Sequence, residues 1–162
     1  MEDSIKATMK HKEWVKDLMG TLIDDMVIRS IHHDDSKMED PEKSLFDEYS
    51  PKLKDCTYGS DEYKEFLKCL RPALDHHYAV NSHHPEHYEN GINDMDLVDL
   101  IELTCDWIAS SKRHADGNIY RSISLNKDRF GMSDQLCKIL ENTVNHYFKD
   151  VLEKPYDSEG EE

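Results

Sequence analysis

Residues 94–113 read DMDLVDLIELTCDWIASSKR, and this stretch decides the fold. Met95, Leu97, Val98, Leu100, Ile101, Leu103, Cys105, Trp107 and Ile108 are apolar on almost every side of a helix. The segment is therefore predicted to be a central, buried helix. One stripe breaks the apolar surface: Asp99, Glu102, Asp106, Ser110 and Arg113 recur at helical spacing. Acidic groups are seldom buried without a partner, so a cation or a metal is expected opposite them.

Working outward, residues 81–93 (NSHHPEHYENGIN) read as irregular, punctuated by Pro85 and Gly91. Before them, Pro72 opens a short helix to about Tyr78. Residues 60–70 form another, with Ser60 as cap and Tyr63, Phe66, Leu67 and Leu70 as its apolar stripe. Residues 50–60 (SPKLKDCTYGS) read as a loop, and residues 42–48 as a short helix after Pro41. Residues 11–31 carry Trp14, Val15, Leu18, Met19, Leu22, Ile23, Met26 and Val27 at helical spacing. Downstream, residues 114–133 (HADGNIYRSISLNKDRFGMS) read as a polar loop in which residues 120–125 are the one weak strand candidate. Ser133 then caps a last helix with Leu136, Ile139, Leu140, Val144 and Phe148. The expectation is an all-α chain, one domain over 1–154 and an acidic, mobile tail over 155–162.

The chain has 162 residues, 37% hydrophobic and 34% charged, which suits one well-solvated domain with a single core. No apolar run approaches the roughly 20 residues of a membrane helix. The opening MEDSIKATMK holds no apolar signal core, so a cytoplasmic protein without membrane contact is expected. Cys56, Cys69, Cys105 and Cys137 lie far apart with no CxxC pair and read as reduced thiols. The formal net charge of −15 repels phosphate backbones, which argues against duplex nucleic acid as a partner. A small phosphorylated substrate is not excluded by this charge, because a bound metal supplies strong local positive charge.

The ten histidines are the compositional anomaly, and eight fall in four places: His11, His32–His33, His76–His77 and His83–His84–His87. Imidazole is the commonest side-chain ligand of transition metals. In Ile31-His32-His33-Asp34-Asp35-Ser36-Lys37, an adjacent His-Asp pair can bring a ring nitrogen and a carboxylate to one ion. His33 and Asp34 are the preferred pair, with His32 and Asp35, one position off, as the competitors. His11, three and four residues before Trp14 and Val15, sits on the apolar side of its helix and offers a third ligand. Asp106 offers a fourth, with Glu102 as its competitor.

The order His11, then His33-Asp34 with Ser36-Lys37, then Asp106 in CDWIASSKR resembles the HD-domain superfamily of metal-dependent phosphohydrolases. The resemblance covers roughly residues 11–113 and implies an HD-domain-like helical bundle with a central metal site. Members with two metals take further histidines between the His-Asp pair and the last Asp. Here those would be His77, His83 and His84, with His76, His87, Glu86 and Asn81 as orienting groups and Asp99 in a supporting role. The run His83-His84-Pro-Glu-His87 looks like the cyclic-dinucleotide phosphodiesterase branch, although the Gly-Tyr-Pro of that branch is absent. The HHDDSK, YGSDEYK, HHPEHY and CDWIAS blocks also resemble a phage and bacterial family of unknown function.

What the resemblance implies is a phosphohydrolase or phosphodiesterase acting on a small nucleotide or cyclic nucleotide. Asp34 and Lys37 would be catalytic, and Lys112, Arg113 and Arg129 would contact phosphate. Mixed imidazole and carboxylate donors suit one or two ions of Mn, Fe, Co or Ni better than Mg, and zinc also fits. Two other readings stand beside it: a di-iron oxygenase of HD type, and a non-catalytic nucleotide- or partner-binding protein. Substrate identity and oligomeric state are not encoded legibly.

Overall fold

The computed structural model describes residues 2–55, 61–112 and 117–152. Among them the regular structure is helical, with no strand: α1 (Glu2–His32), α2 (Glu42–Asp55), α3 (Asp61–Val80), α4 (Leu97–Lys112), α5 (Ile119–Phe130), α6 (Asp134–Thr143) and α7 (Lys149–Leu152). The all-α expectation is met. The chain forms two compact units, Met1–Cys69 and Leu70–Glu162.

In the first unit, α1 is one unbroken helix of 31 residues. Most of its apolar residues are exposed, Trp14 at 61% and Leu18 at 69%, while Met26 is half-buried. The helix ends where Asp34 turns into the left-handed region at φ 61. Aspartate tolerates that conformation better than most residues, because its short polar side chain bonds locally. A single 3-10 turn, Asp35–Met38, follows. The sequence places a short helix at 42–48 and a loop at 50–60, but α2 continues through Pro51 to Asp55. A proline inside a helix removes one donor and crowds the carbonyl four residues before it, so the turn around Pro51 must be held from its flanks. Lys52 bonds Glu48 at 2.8 Å, and its ammonium lies over the Tyr49 ring at 4.5 Å.

The second unit holds the core. Leu103 and Ile108 of α4 pack with Ile119 and Ile123 of α5, Leu140 of α6, and Val144 just after it. The break expected at Pro72 does not occur, since α3 runs through it. The central helix begins at Leu97 rather than 94 because Asp96 caps it: its Oδ1 accepts from the backbone N–H groups of Val98 (2.8 Å) and Asp99 (2.9 Å).

The largest correction concerns residues 114–133. The expected polar loop, with its strand candidate at 120–125, is instead helix α5. Asn118 caps it by accepting from the N–H groups of Tyr120 and Arg121, and Gly131 closes it at φ 64. Ile119 and Ile123, one turn apart, are 2% and 1% exposed and anchor the first half of the helix, and the half-buried Phe130 packs on the core at its end. The expected cap at Ser133 is present, its Oγ accepting from Leu136 N at 3.1 Å. Cys69, Cys105 and Cys137 are free thiols, while Cys56, Arg113 and the tail from Pro155 lie outside the described residues. Among the described residues, no helix is long and apolar enough to cross a membrane.

Candidate metal centre

The polar stripe of α4 faces the histidine-rich segment that precedes it. Asp99, in the first turn of α4, is 1% exposed and accepts three hydrogen bonds, which is how a buried carboxylate is made tolerable. The donors are Ser82 Oγ at 2.8 Å, Tyr88 Oη at 2.6 Å and Asp96 N at 3.0 Å. Partial burial and the adjoining Asp99 carboxylate push the Tyr88 phenol up to about 12, so it stays a donor. Ser82 and Tyr88 bracket His83 and His84 in sequence, so Asp99 pins the segment carrying both rings.

One turn further along α4, Glu102 Oε1 stands 3.2 Å from His83 Nδ1. The His83 side chain is 2% exposed. A carboxylate that accepts a hydrogen bond from Nδ1–H holds the proton on that nitrogen and leaves Nε2 free as the donor atom for a metal. His77, from the last turn of α3, is equally buried, and its Nε2 lies 2.9 Å from Nε2 of His84. The Asn81 amide fixes the His77 ring, lying 3.0 Å from Nδ1 and donating to the His77 carbonyl at 2.8 Å.

His77, His83 and His84 thus each present a ring nitrogen, all three within 4.8 Å of one another. The ligands of one ion with metal–nitrogen bonds of about 2.1 Å stand about 3–4 Å apart, so small side-chain adjustments suffice for the trio to share one. The donor set fits a transition metal: three imidazoles, one of them backed by a carboxylate. The structure therefore gives a cluster of His and Glu able to hold a metal.

The other expected site residues fall as follows. Asp106, one turn after Glu102, is half-buried and accepts a long bond from Ser110 Oγ at 3.4 Å. In the first unit, Asp34 Oδ2 bonds Lys37 Nζ at 2.6 Å and lies 3.5 Å from His33 Nε2. The competing pair, His32 and Asp35, bond each other at 2.7 Å on the more exposed side, at 64% and 47% exposure against 30% and 18% for His33 and Asp34.

His11 is not brought to this pair. It lies 21 positions before His32, the last residue of α1, about 32 Å along the axis at 1.5 Å per residue and far beyond the span of any metal shell. Lys112 Nζ donates to the Val151 carbonyl at 2.7 Å. Arg129 is exposed and donates to Glu86 at 2.6 Å. His87 is exposed, its Nδ1 3.0 Å from the Tyr78 carbonyl. Glu102, weighed in the sequence only as a rival to Asp106, has the separate task of orienting His83.

Residues 1–146 match the model of a protein family described as "Family of unknown function (DUF5662)". No curated protein and no solved structure matches the chain.

Proposed function

Because the chain belongs to that family of unknown function, its chemistry must be argued from its own donor atoms, and we propose that it is a metal-dependent phosphohydrolase of small phosphate esters. The carrying observation is the trio His77, His83 and His84, with Glu102 held against Nδ1 of His83. Three imidazoles beside carboxylates favour Mn, Fe, Co, Ni or Zn over Mg. In the proposal, Asp106 of the same helix adds a carboxylate to the shell, and the likeness of His33, Asp34 and Asp106 to the HD pattern supports the reading. When bound, such an ion supplies Lewis acidity toward water and the phosphoryl oxygens.

The chain's own groups then have distinct tasks. Glu102 keeps the Nδ1 proton on His83, so the ring stays neutral with its other nitrogen available. Asp34 orients the attacking water. Lys37, held against the Asp34 carboxylate, stabilises charge that grows on the phosphoryl oxygens. Nucleotides and cyclic nucleotides are the substrate class, by the same resemblance.

The test joins metal analysis of the purified protein to a phosphate-release screen over nucleotides and cyclic nucleotides. Release from at least one ester, lost in Asp34→Ala, is the expected result. Iron content with oxygen uptake, and no ester hydrolysed, overturns the proposal in favour of a di-iron oxygenase.

A further inference from the structure

A second polar recess lies within the same unit, between the end of α4 and the start of α5. Ser110, Ser111, Asn118, Arg121, Ser122 and Leu125 form the main part of its wall, around a solvent-open volume of about 330 Å³. Among the described residues, none that lines it is acidic, in a chain that carries 35 acidic residues against 20 basic ones.

Arg121 sets this recess apart. Arg29 bonds Asp25, Arg71 bonds Asp75 and Arg129 bonds Glu86. Among the described residues, the Arg121 guanidinium bonds no carboxylate; only its backbone N–H is engaged, with Asn118 Oδ1 at 3.1 Å. Two wall hydroxyls are weakly committed, Ser110 Oγ to Asp106 at 3.4 Å and Ser122 Oγ to the Asn118 carbonyl at 3.3 Å. Either proton turns toward an anion at little cost. The first amides of α5 already bond Asn118 Oδ1, so affinity here must come from side chains rather than from the helix end.

We propose that this recess binds the phosphate of a phosphomonoester, a substrate or product of the proposed phosphohydrolase, and the assignment rests on that reading. Arg121 offers a planar fork of donors that suits phosphate geometry, Ser110 and Ser122 add hydroxyl donors, and Leu125 offers an apolar wall to the organic part. The Ser110–Asp106 bond connects the recess to the acid proposed for the metal shell. A volume near 330 Å³ is at the lower end of small-ligand sites, enough for a nucleoside monophosphate and not for a polymer.

The experiment is calorimetric titration of the full-length protein, as purified, with inorganic phosphate and with a nucleoside monophosphate. Wild type, Arg121→Gln, Ser122→Ala and the double variant His83→Ala/His84→Ala are compared, with circular dichroism confirming each fold. Saturable binding that weakens at least tenfold in Arg121→Gln, about threefold in Ser122→Ala and less than twofold in the histidine variant supports the assignment. Binding unchanged by Arg121→Gln, or abolished only in the histidine variant, overturns it and places the anion at the histidines. Arg121-dependent binding by a protein without metal sinks the hydrolase reading alone and leaves the anion site standing.

Discussion

In the proposed metal site Glu102 acts on binding through His83, and replacing it separates orientation from ligation. The His83 ring is 2% exposed and its Nδ1 lies 3.2 Å from the Glu102 carboxylate, so little water is at hand to replace that acceptor. Carboxylates behind ligating imidazoles are worth about 10–100-fold in metal affinity. That factor is about 1.4–2.7 kcal/mol. Glu102→Gln keeps the length and a neutral acceptor, so about tenfold weaker binding is expected. Glu102→Ala removes the acceptor, which predicts a loss near 100-fold. It also predicts about 1–3 kcal/mol of lost stability from the buried ring N–H left unsatisfied. Competition against a chromophoric chelator reads the Kd, and urea unfolding reads the stability. The reasoning fails if both variants bind metal within twofold of wild type. It fails equally if metal stoichiometry falls while affinity holds, because Glu102 would then be a ligand itself.

Other consequences are open to direct measurement. Asp99→Ala should destabilise the protein by about 2–4 kcal/mol in urea titration, since the groups donated by Ser82, Tyr88 and Asp96 lose one charged acceptor together; Asp99→Asn should cost less. Ile123→Ala, at a site 1% exposed, should cost about 2–5 kcal/mol, and Asn118→Ala about 1 kcal/mol through the lost cap of α5. The Tyr88 phenol is raised from 10.0 to about 12, so the native state holds this proton more tightly than the unfolded chain. Its contribution to stability is complete below pH 10 and is lost as the pH rises toward 12. Tyr49 is raised as well, so an ultraviolet titration of the native protein should show one fewer late-ionising phenol in Tyr88→Phe than in wild type.

The helical class was legible because residues 94–113 are apolar on nearly every side and no stretch alternates convincingly. The helix α5 was not, because Arg121, Ser122, Ser124, Asn126, Lys127 and Asp128 give it a polar composition, while only two isoleucines one turn apart are fully buried. Its ends carried the better signal, Asn118 as cap and Gly131 as stop. In the site, the bunching of His77, His83 and His84 pointed to donors that the fold brings within 4.8 Å. Glu102 as the partner of His83 was hidden, since 19 positions separate them and only the return of α4 beneath the loop joins them. His11 is a different case. The same spacing that makes residues 11–31 a helix already sets His11 about 30 Å from His33 at 1.5 Å per residue, so the rise of the helix was itself the argument against a shared ion.

The central claim is that the histidine trio of the second unit holds a transition metal. Elemental analysis by plasma mass spectrometry, after equilibration with Mn, Fe, Co, Ni or Zn and removal of the excess, tests it most directly. Wild type should retain one or two ions per chain, and His83→Ala/His84→Ala should retain at least one fewer while staying folded by circular dichroism. Equal metal content in the two proteins, or a folded wild type that retains none of these metals, would contradict the claim.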